Sequence, residues 1–232
     1  MRQSTEKQIA QSLLFYPLVG LLIGLVLYIL NTALFETNDM LRAAIILVTW
    51  VSITGALHLD GLADSADALV GGFGDKEKTL AIMKDPCCGP IGVVSLILIL
   101  LLKFSMIFSI TEHSDYLLIL APCLARSSIL WSFISIPYVR NNGLGSMMAK
   151  HLSPQKARIS LVTVGCISLL VFGWIGLIIL LFSFLIIYRL KKIMMHRIGG
   201  MTGDILGAQI EILEASILLV GLLFLGIQQK SY

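Results

Sequence analysis

Charge is scarce in this chain. Of 232 residues only 13% are charged, 17 basic against 14 acidic, where an average soluble protein carries roughly 25%. That supply cannot cover the surface of a soluble domain when 57% of the residues are hydrophobic, so a soluble globular fold is excluded, and the same apolar content excludes disorder. The net charge of +3 is too small to argue for a nucleic-acid partner. Cysteine is scarce too. Cys87, Cys88, Cys123 and Cys166 show no paired metal spacing, and a disulfide-stapled scaffold is excluded. Cys123 and Cys166 fall inside apolar runs as small buried residues. There is no internal repeat and no low-complexity stretch, so residues 1–232 read as one integral-membrane domain.

What the chain does have is long apolar runs. A bilayer core takes about 20 apolar residues per helix, and residues 13–34, 41–57, 91–110, 116–138 and 205–227 each meet that need. The first run is too long for a signal-peptide core and lacks a small-residue cleavage site, so it is read as a retained span. Residues 159–188 carry no charge and are too long for one upright helix. Basic residues decide how they fold. Lys and Arg cluster before the first span, in 76–84 and in 140–158, and Arg189, Lys191, Lys192 and Arg197 join the same side only if the chain turns back at Phe172-Gly173-Trp174. The expectation is an all-α polytopic transmembrane bundle with seven membrane segments rather than six. Its N-terminus and its 58–90 and 139–158 loops are cytoplasmic.

One segment stands out: His58-Leu-Asp60-Gly-Leu-Ala-Asp64-Ser-Ala-Asp67. Aspartates spaced i, i+4 and i+7 return to one helix face, so three carboxylates converge over two turns. Like charges that close repel unless a cation sits among them. Oxygen-only ligands beside a membrane span suit Mg²⁺ bridging to phosphate better than zinc; a solvated acidic helix end is the plainer alternative. Gly71-Gly72-Phe73-Gly74 is a turn where backbone at Gly72 approaches a ligand, or simply a turn. In Met83-Lys84-Asp85-Pro86, Asp85 is either a helix N-cap or a fourth metal-site carboxylate, and Lys84 is either a positive flank or a phosphate contact. His58 lies about 160° round the helix from Asp60 and is read as an interface residue.

A second polar cluster opens the last span: Gly199-Gly200-Met-Thr202-Gly203-Asp204. Glycines ahead of a helix N-terminus make a concavity of N–H groups that suits an anion, though Thr202 or Asp204 also serves as an ordinary cap. Asp204, Gly207, Ala208, Glu211 and Glu214 then share one face, acidic and small. Arg126, inside a span, either pairs with an interior acid such as Glu211 or binds a substrate phosphate.

Read together, HLDGLADSADAL, GGF, IMKDPCCGPIGV and GGMTGDILGA, with Tyr16-Pro17-Leu18-Val19-Gly20 and Gly24 ahead of them, resemble the membrane cobalamin (5′-phosphate) synthase family, the adenosylcobinamide-GDP ribazoletransferases. The resemblance implies a Mg²⁺-dependent phosphotransferase at the cytoplasmic face of a prokaryotic inner membrane. Adenosylcobinamide-GDP and α-ribazole or its 5′-phosphate would be joined with release of GMP. Catalytic and metal-binding roles then fall on Asp60, Asp64, Asp67 and Asp85, and substrate contacts on the Thr202-Gly203-Asp204 turn. Two departures stand out. The chain starts after the place of the Phe-Leu-Thr-Arg-Ile-Pro-like opening usual in that family, so either the start is shortened or this member lacks it, and Cys87 and Cys88 replace small polar or basic residues.

Two other classes compete. A CDP-alcohol phosphotransferase or a prenyl-type transferase also binds a Mg²⁺-diphosphate with aspartates, but the former expects Ala-Arg after Asp-Gly, and here Asp60-Gly61 precedes Leu-Ala-Asp. A cation transporter expects carboxylates spread through the bilayer, whereas these gather mostly at one side. The partners expected are small-molecule substrates and the lipid bilayer. Oligomeric state stays open, a homo-oligomer included.

Overall fold

The computed structural model describes residues 2–110 and 114–229, and the side chains of 6–110 and 114–225. Glu112 and His113, at the far end of the third predicted span, lie outside the described residues. The described chain is helical, with one isolated bridge between Tyr138 and Met201. An N-terminal helix α1 (Arg2–Ser12) continues through a single 3₁₀ turn at Leu13–Phe15 into α2 (Tyr16–Ala33), whose second residue is Pro17, where a missing N–H costs nothing. α2 lies against α7 (Leu117–Ser135) over Gly20 and Gly24. A Cβ at Gly20 would strike the Pro122 carbonyl, and one at Gly24 the backbone of Leu118 and Ile119. This is the small-xxx-small spacing that lets membrane helices approach backbone to backbone.

α3 (Asp39–Thr54) is capped by the Asn38 side chain, which accepts N–H bonds from Met40 and Leu41 at 3.0 and 3.3 Å. It ends on two left-handed residues, Gly55 (φ 60°) and Ala56 (φ 56°). They turn the chain by 85° into α4 (Leu57–Gly71). A left-handed alanine costs roughly 1–2 kcal/mol, so packing holds this bend against local preference. α4 carries the aspartates and lies across the end of the bundle. After α5 (Lys76–Ile82) come α6 (Pro90–Phe108), then α7 and α8 (Leu144–His151).

The long apolar stretch belongs to α9 (Pro154–Ile198), which is broken at Gly173 (φ 53°, ψ −131°). There the chain reverses. Gly176 packs on the Ser168 carbonyl, and Leu161, Val164 and Gly165 face Leu180, Ser183 and Ile187 across one apolar cavity. The turn is at the glycine expected from the sequence. α10 (Gly203–Gln229) closes the bundle. By length and composition five helices among the described residues qualify as membrane spans, or six with the bent α3–α4 pair.

The bend in α9 decides which loops share an end. Tyr116 stacks on Phe172 (centroids 4.9 Å apart), and Arg42 reaches the Ile110 carbonyl at 3.5 Å. One end therefore holds Ile110, Tyr116 and the hairpin tip. At the other, Glu6 meets His151 at 3.5 Å, Arg197 lies by Gly74 and Lys76 by Gly199. The N-terminus, α4, α8 and the start of α10 thus share one end, as the basic clusters imply.

Between the ends runs a buried ionic cluster. The Lys103 ammonium touches Glu211 and Glu214, each at 2.6 Å, and Arg126 touches Glu214 at 2.7 Å. Lys103 also sits over the Trp50 ring at 4.6 Å. Lys103 is 2% exposed, its ammonium held inside the bundle. Two cations against two anions make the cluster electroneutral, which is what permits it at that depth.

Candidate active site

Glycines set the crossing of α4 and α10. A Cβ at Gly61 would meet the Asp204 backbone, and one at Gly207 would meet His58 and the Gly61 Cα. With the axes this close, Asp204 stands beside the α4 aspartates. The Asp64 carboxyl is pushed up to about 6, first by desolvation, then by Asp60, Asp204 and Asp67, with Arg140 opposing. Four carboxylates and one guanidinium thus form a single electrostatic unit.

Not all of them are equally available. Asp67 accepts the Gly89 N–H through Oδ2 at 2.7 Å and the Gly92 N–H through Oδ1 at 2.8 Å. It fastens the start of α6, where a carboxylate also suits the helix dipole. Asp204 accepts Arg140 Nη2 through Oδ2 at 2.6 Å, and Arg140 also donates to the Met83 carbonyl at 3.4 Å. Asp60 is exposed and Asp64 half-buried, and among the described contacts neither has a hydrogen-bond partner. Asp85 is exposed, its Oδ1 accepting the Cys87 N–H at 2.9 Å in a local turn. It lies in the segment between Met83, which contacts Thr202, and Cys88, which lies beside Asp67 over Gly92, and no described contact joins its carboxyl to the other aspartates.

The remaining expected residues divide. Thr202 is fully buried and acts as a cap, its Oγ1 accepting the Ile205 N–H at 3.4 Å. Gly203 opens α10 beside the Tyr138 hydroxyl. Lys84 is exposed, next in sequence to Met83, which contacts Thr202. Gly72 is buried, and a Cβ there would run into Thr79, so its closeness is to protein. Arg126 belongs to the ionic cluster, but its partner is Glu214 and not Glu211.

Sequence reasoning missed Arg140 and Tyr138. Arg140 reads as one member of a positive flank, and nothing local distinguishes it. It is placed by the segment after α7, where the Val139 N–H bonds to the Met201 carbonyl and the Met201 N–H to the Pro137 carbonyl, both at 2.9 Å. Burial, with Asp204 beside it, raises the Tyr138 phenol, while Arg140 opposes. Next to this mouth a cleft of about 300 Å³ runs between Tyr138, Gly145 and Gly203 at one end and Tyr16, His58 and Ile210 at the other.

These features define a multi-pass helical membrane protein with a carboxylate-lined mouth at one end of its bundle. A family model described as cobalamin-5-phosphate synthase matches residues 1–222, and the chain belongs to that family. Among its relatives are proteins named adenosylcobinamide-GDP ribazoletransferase. The one from Pseudomonas fluorescens (strain Pf0-1) is 47% identical over 219 residues, covering 94% of this chain and 90% of its own. The one from Pseudomonas syringae pv. syringae (strain B728a) is 48% identical over 216 residues, 93% and 89%. That from Stutzerimonas stutzeri (strain A1501) is 45% identical over 221 residues, 94% and 89%. No solved structure matches the chain.

Proposed function

We propose that the chain joins adenosylcobinamide-GDP to α-ribazole or its 5′-phosphate and releases GMP. The observation that carries the reading is the unneutralised Asp60–Asp64 pair at the mouth of a cleft, in a member of this family. The oxygen of a ribazole hydroxyl attacks the phosphorus that bears the cobinamide, and the P–O bond to GMP breaks. The hydroxyl proton passes to a carboxylate.

The cofactor proposed is Mg²⁺. Among the described residues no three His, Cys, Asp or Glu side chains converge tightly enough to hold a metal ion by themselves. Magnesium, however, is usually held by one or two carboxylates plus substrate phosphates. Asp60 and Asp64, with their oxygens free of protein partners, fit that donor set. The ion would supply charge neutralisation on the diphosphate and on the departing GMP.

Asp67, with both oxygens given to backbone N–H groups, is proposed to hold α4 against α6. That leaves Asp85, exposed and with one oxygen free, as the proposed proton acceptor. Lys84 is proposed to meet phosphate charge, and Arg140 to hold Asp204 in place. The proposed topology has seven segments, counting the two arms of α9 separately. The mouth is proposed to face the cytoplasm, because the basic clusters lie at that end.

The test is turnover by detergent-purified protein given adenosylcobinamide-GDP, α-ribazole 5′-phosphate and Mg²⁺. GMP release matched by a completed cobamide, and lost with EDTA, is the expected result. No GMP from folded protein would sink the reading.

A further inference from the structure

The buried Arg126 has a spare donor. It is 2% exposed, and its Nη1 is used by Glu214 and by the Pro122 carbonyl, yet among the described residues Nη2 has no partner. His58 Nδ1 is buried and unpartnered as well. Both side chains line a cavity of about 260 Å³ with Tyr16, Ile23, Thr54 and Ile210. Tyr16, His58 and Ile210 also line the cleft that reaches Tyr138 and Gly203 at the mouth. The two spaces therefore adjoin over shared walls, forming an apolar trough with an unsatisfied donor at its floor.

Three properties select the occupant. The walls are mostly Leu, Ile, Val and aromatic, so the body of the ligand is apolar. Leaving a buried N–H unpaired costs about 1–3 kcal/mol, so the far end of the ligand presents an acceptor. That acceptor is neutral, because the charge of Arg126 is already balanced within the Lys103–Glu211–Glu214 cluster. Size excludes the other substrate: sites of about 300–1,000 Å³ hold drug-sized molecules, and a corrin macrocycle with its upper ligand exceeds this trough.

We propose that the trough is the subsite for the apolar aromatic base of the nucleoside substrate, with its unsubstituted ring nitrogen directed toward Arg126 and His58. This rests on the transferase reading above. α-Ribazole carries a flat dimethylbenzimidazole with one ring nitrogen free to accept a hydrogen bond. Its sugar would then lie toward Tyr138 and Gly203, next to the aspartates, and the corrinoid would remain outside the mouth.

Two measurements separate this proposal from the reading it rests on. The first is the thermal shift of detergent-purified, metal-free protein on adding free 5,6-dimethylbenzimidazole, comparing wild type with Ile210→Phe and with Leu144→Trp. Leu144 is an exposed wall residue whose substitution leaves the core intact. Stabilisation of wild type, weakened in both variants, is expected. No shift, in detergent or in phospholipid nanodiscs, would overturn the proposal and leave the trough to lipid. The second is steady-state GMP release. KM for α-ribazole phosphate should rise at least about tenfold in the variants, with KM for adenosylcobinamide-GDP unchanged. A rise confined to the corrinoid substrate overturns the subsite but not the transferase. Base binding lost in the variants, with no GMP from wild type, would uphold the subsite and sink the transfer reading.

Discussion

Arg140 Nη2 lies 2.6 Å from Asp204 Oδ2 across 64 residues of sequence. Among the described residues, Arg140 is also the cation that acts to lower the Asp64 carboxyl. It therefore does two things at once: it holds the first turn of α10 and offsets part of the repulsion among the aspartates.

Replacing Arg140 with Ala should lower kcat/KM for GMP release by about 10–100-fold, the scale of losing a supporting group next to a metal site, because Asp204 beside the α4 aspartates is then left without its partner. Arg140→Lys should recover part of the loss, since a point charge restores the field but not the reach to Met83. Unchanged kinetics in the alanine variant would remove Arg140 from the site.

Asp64→Asn should cost at least about 100-fold in turnover, since a metal supplies several kcal/mol of charge stabilisation, and yet stabilise the metal-free protein. The sign follows from the raised carboxyl. With a folded value of about 6 against 3.8, the acid is neutral in both states below pH 3.8, so it carries no penalty there. The penalty grows as pH rises through 6 and stays constant above. The Tm difference between variant and wild type should therefore open between pH 4 and pH 6 and hold steady beyond. Because Asp64 is only half-buried, solvent screens the effect and the gap should be small. Mg²⁺ should raise the Tm of wild type and leave the variant unmoved. A variant less stable than wild type at pH 7.5 would contradict this account.

Asp67→Ala should destabilise the fold by about 1–2 kcal/mol through loss of a helix-start acceptor. Gly92→Ala drives a methyl into the same carboxylate and into Cys88. Because both changes break one contact, the double variant should lose less than the sum of the two singles. Strict additivity in denaturation midpoints would show that the contact is not shared.

Glu214→Gln should be the most damaging single change in the buried cluster. Removing one partner of a buried ionic group costs about 3–5 kcal/mol. Lys103→Met with Glu211→Gln removes one charge of each sign and keeps Arg126 paired with Glu214. That double variant should be closer to wild type in thermal stability than Glu214→Gln. The reverse order would rule out charge balance as the reason the cluster is tolerated.

Much of this molecule is legible along the chain. Membrane residence follows from 57% apolar residues against 13% charged, because water cannot hold that surface. The shared face of Asp60, Asp64 and Asp67 follows from helical periodicity, and the turn at Gly173 from the length of an uncharged run flanked by basic residues. These are properties of one segment and its solvent, so one segment suffices to read them.

Pairings between segments needed the folded chain. That Asp67 is taken by Gly89 and Gly92, that Arg126 meets Glu214 and not Glu211, and that Lys103 turns inward all depend on how helices are rotated and slid against one another. Backbone contact at Gly20, Gly24, Gly61 and Gly207 sets those rotations. Glu211 and Glu214 lie within one turn of the same helix, and periodicity alone cannot choose between them. The choice belongs to the axial register of α7 against α10, a quantity that exists only once both helices are packed.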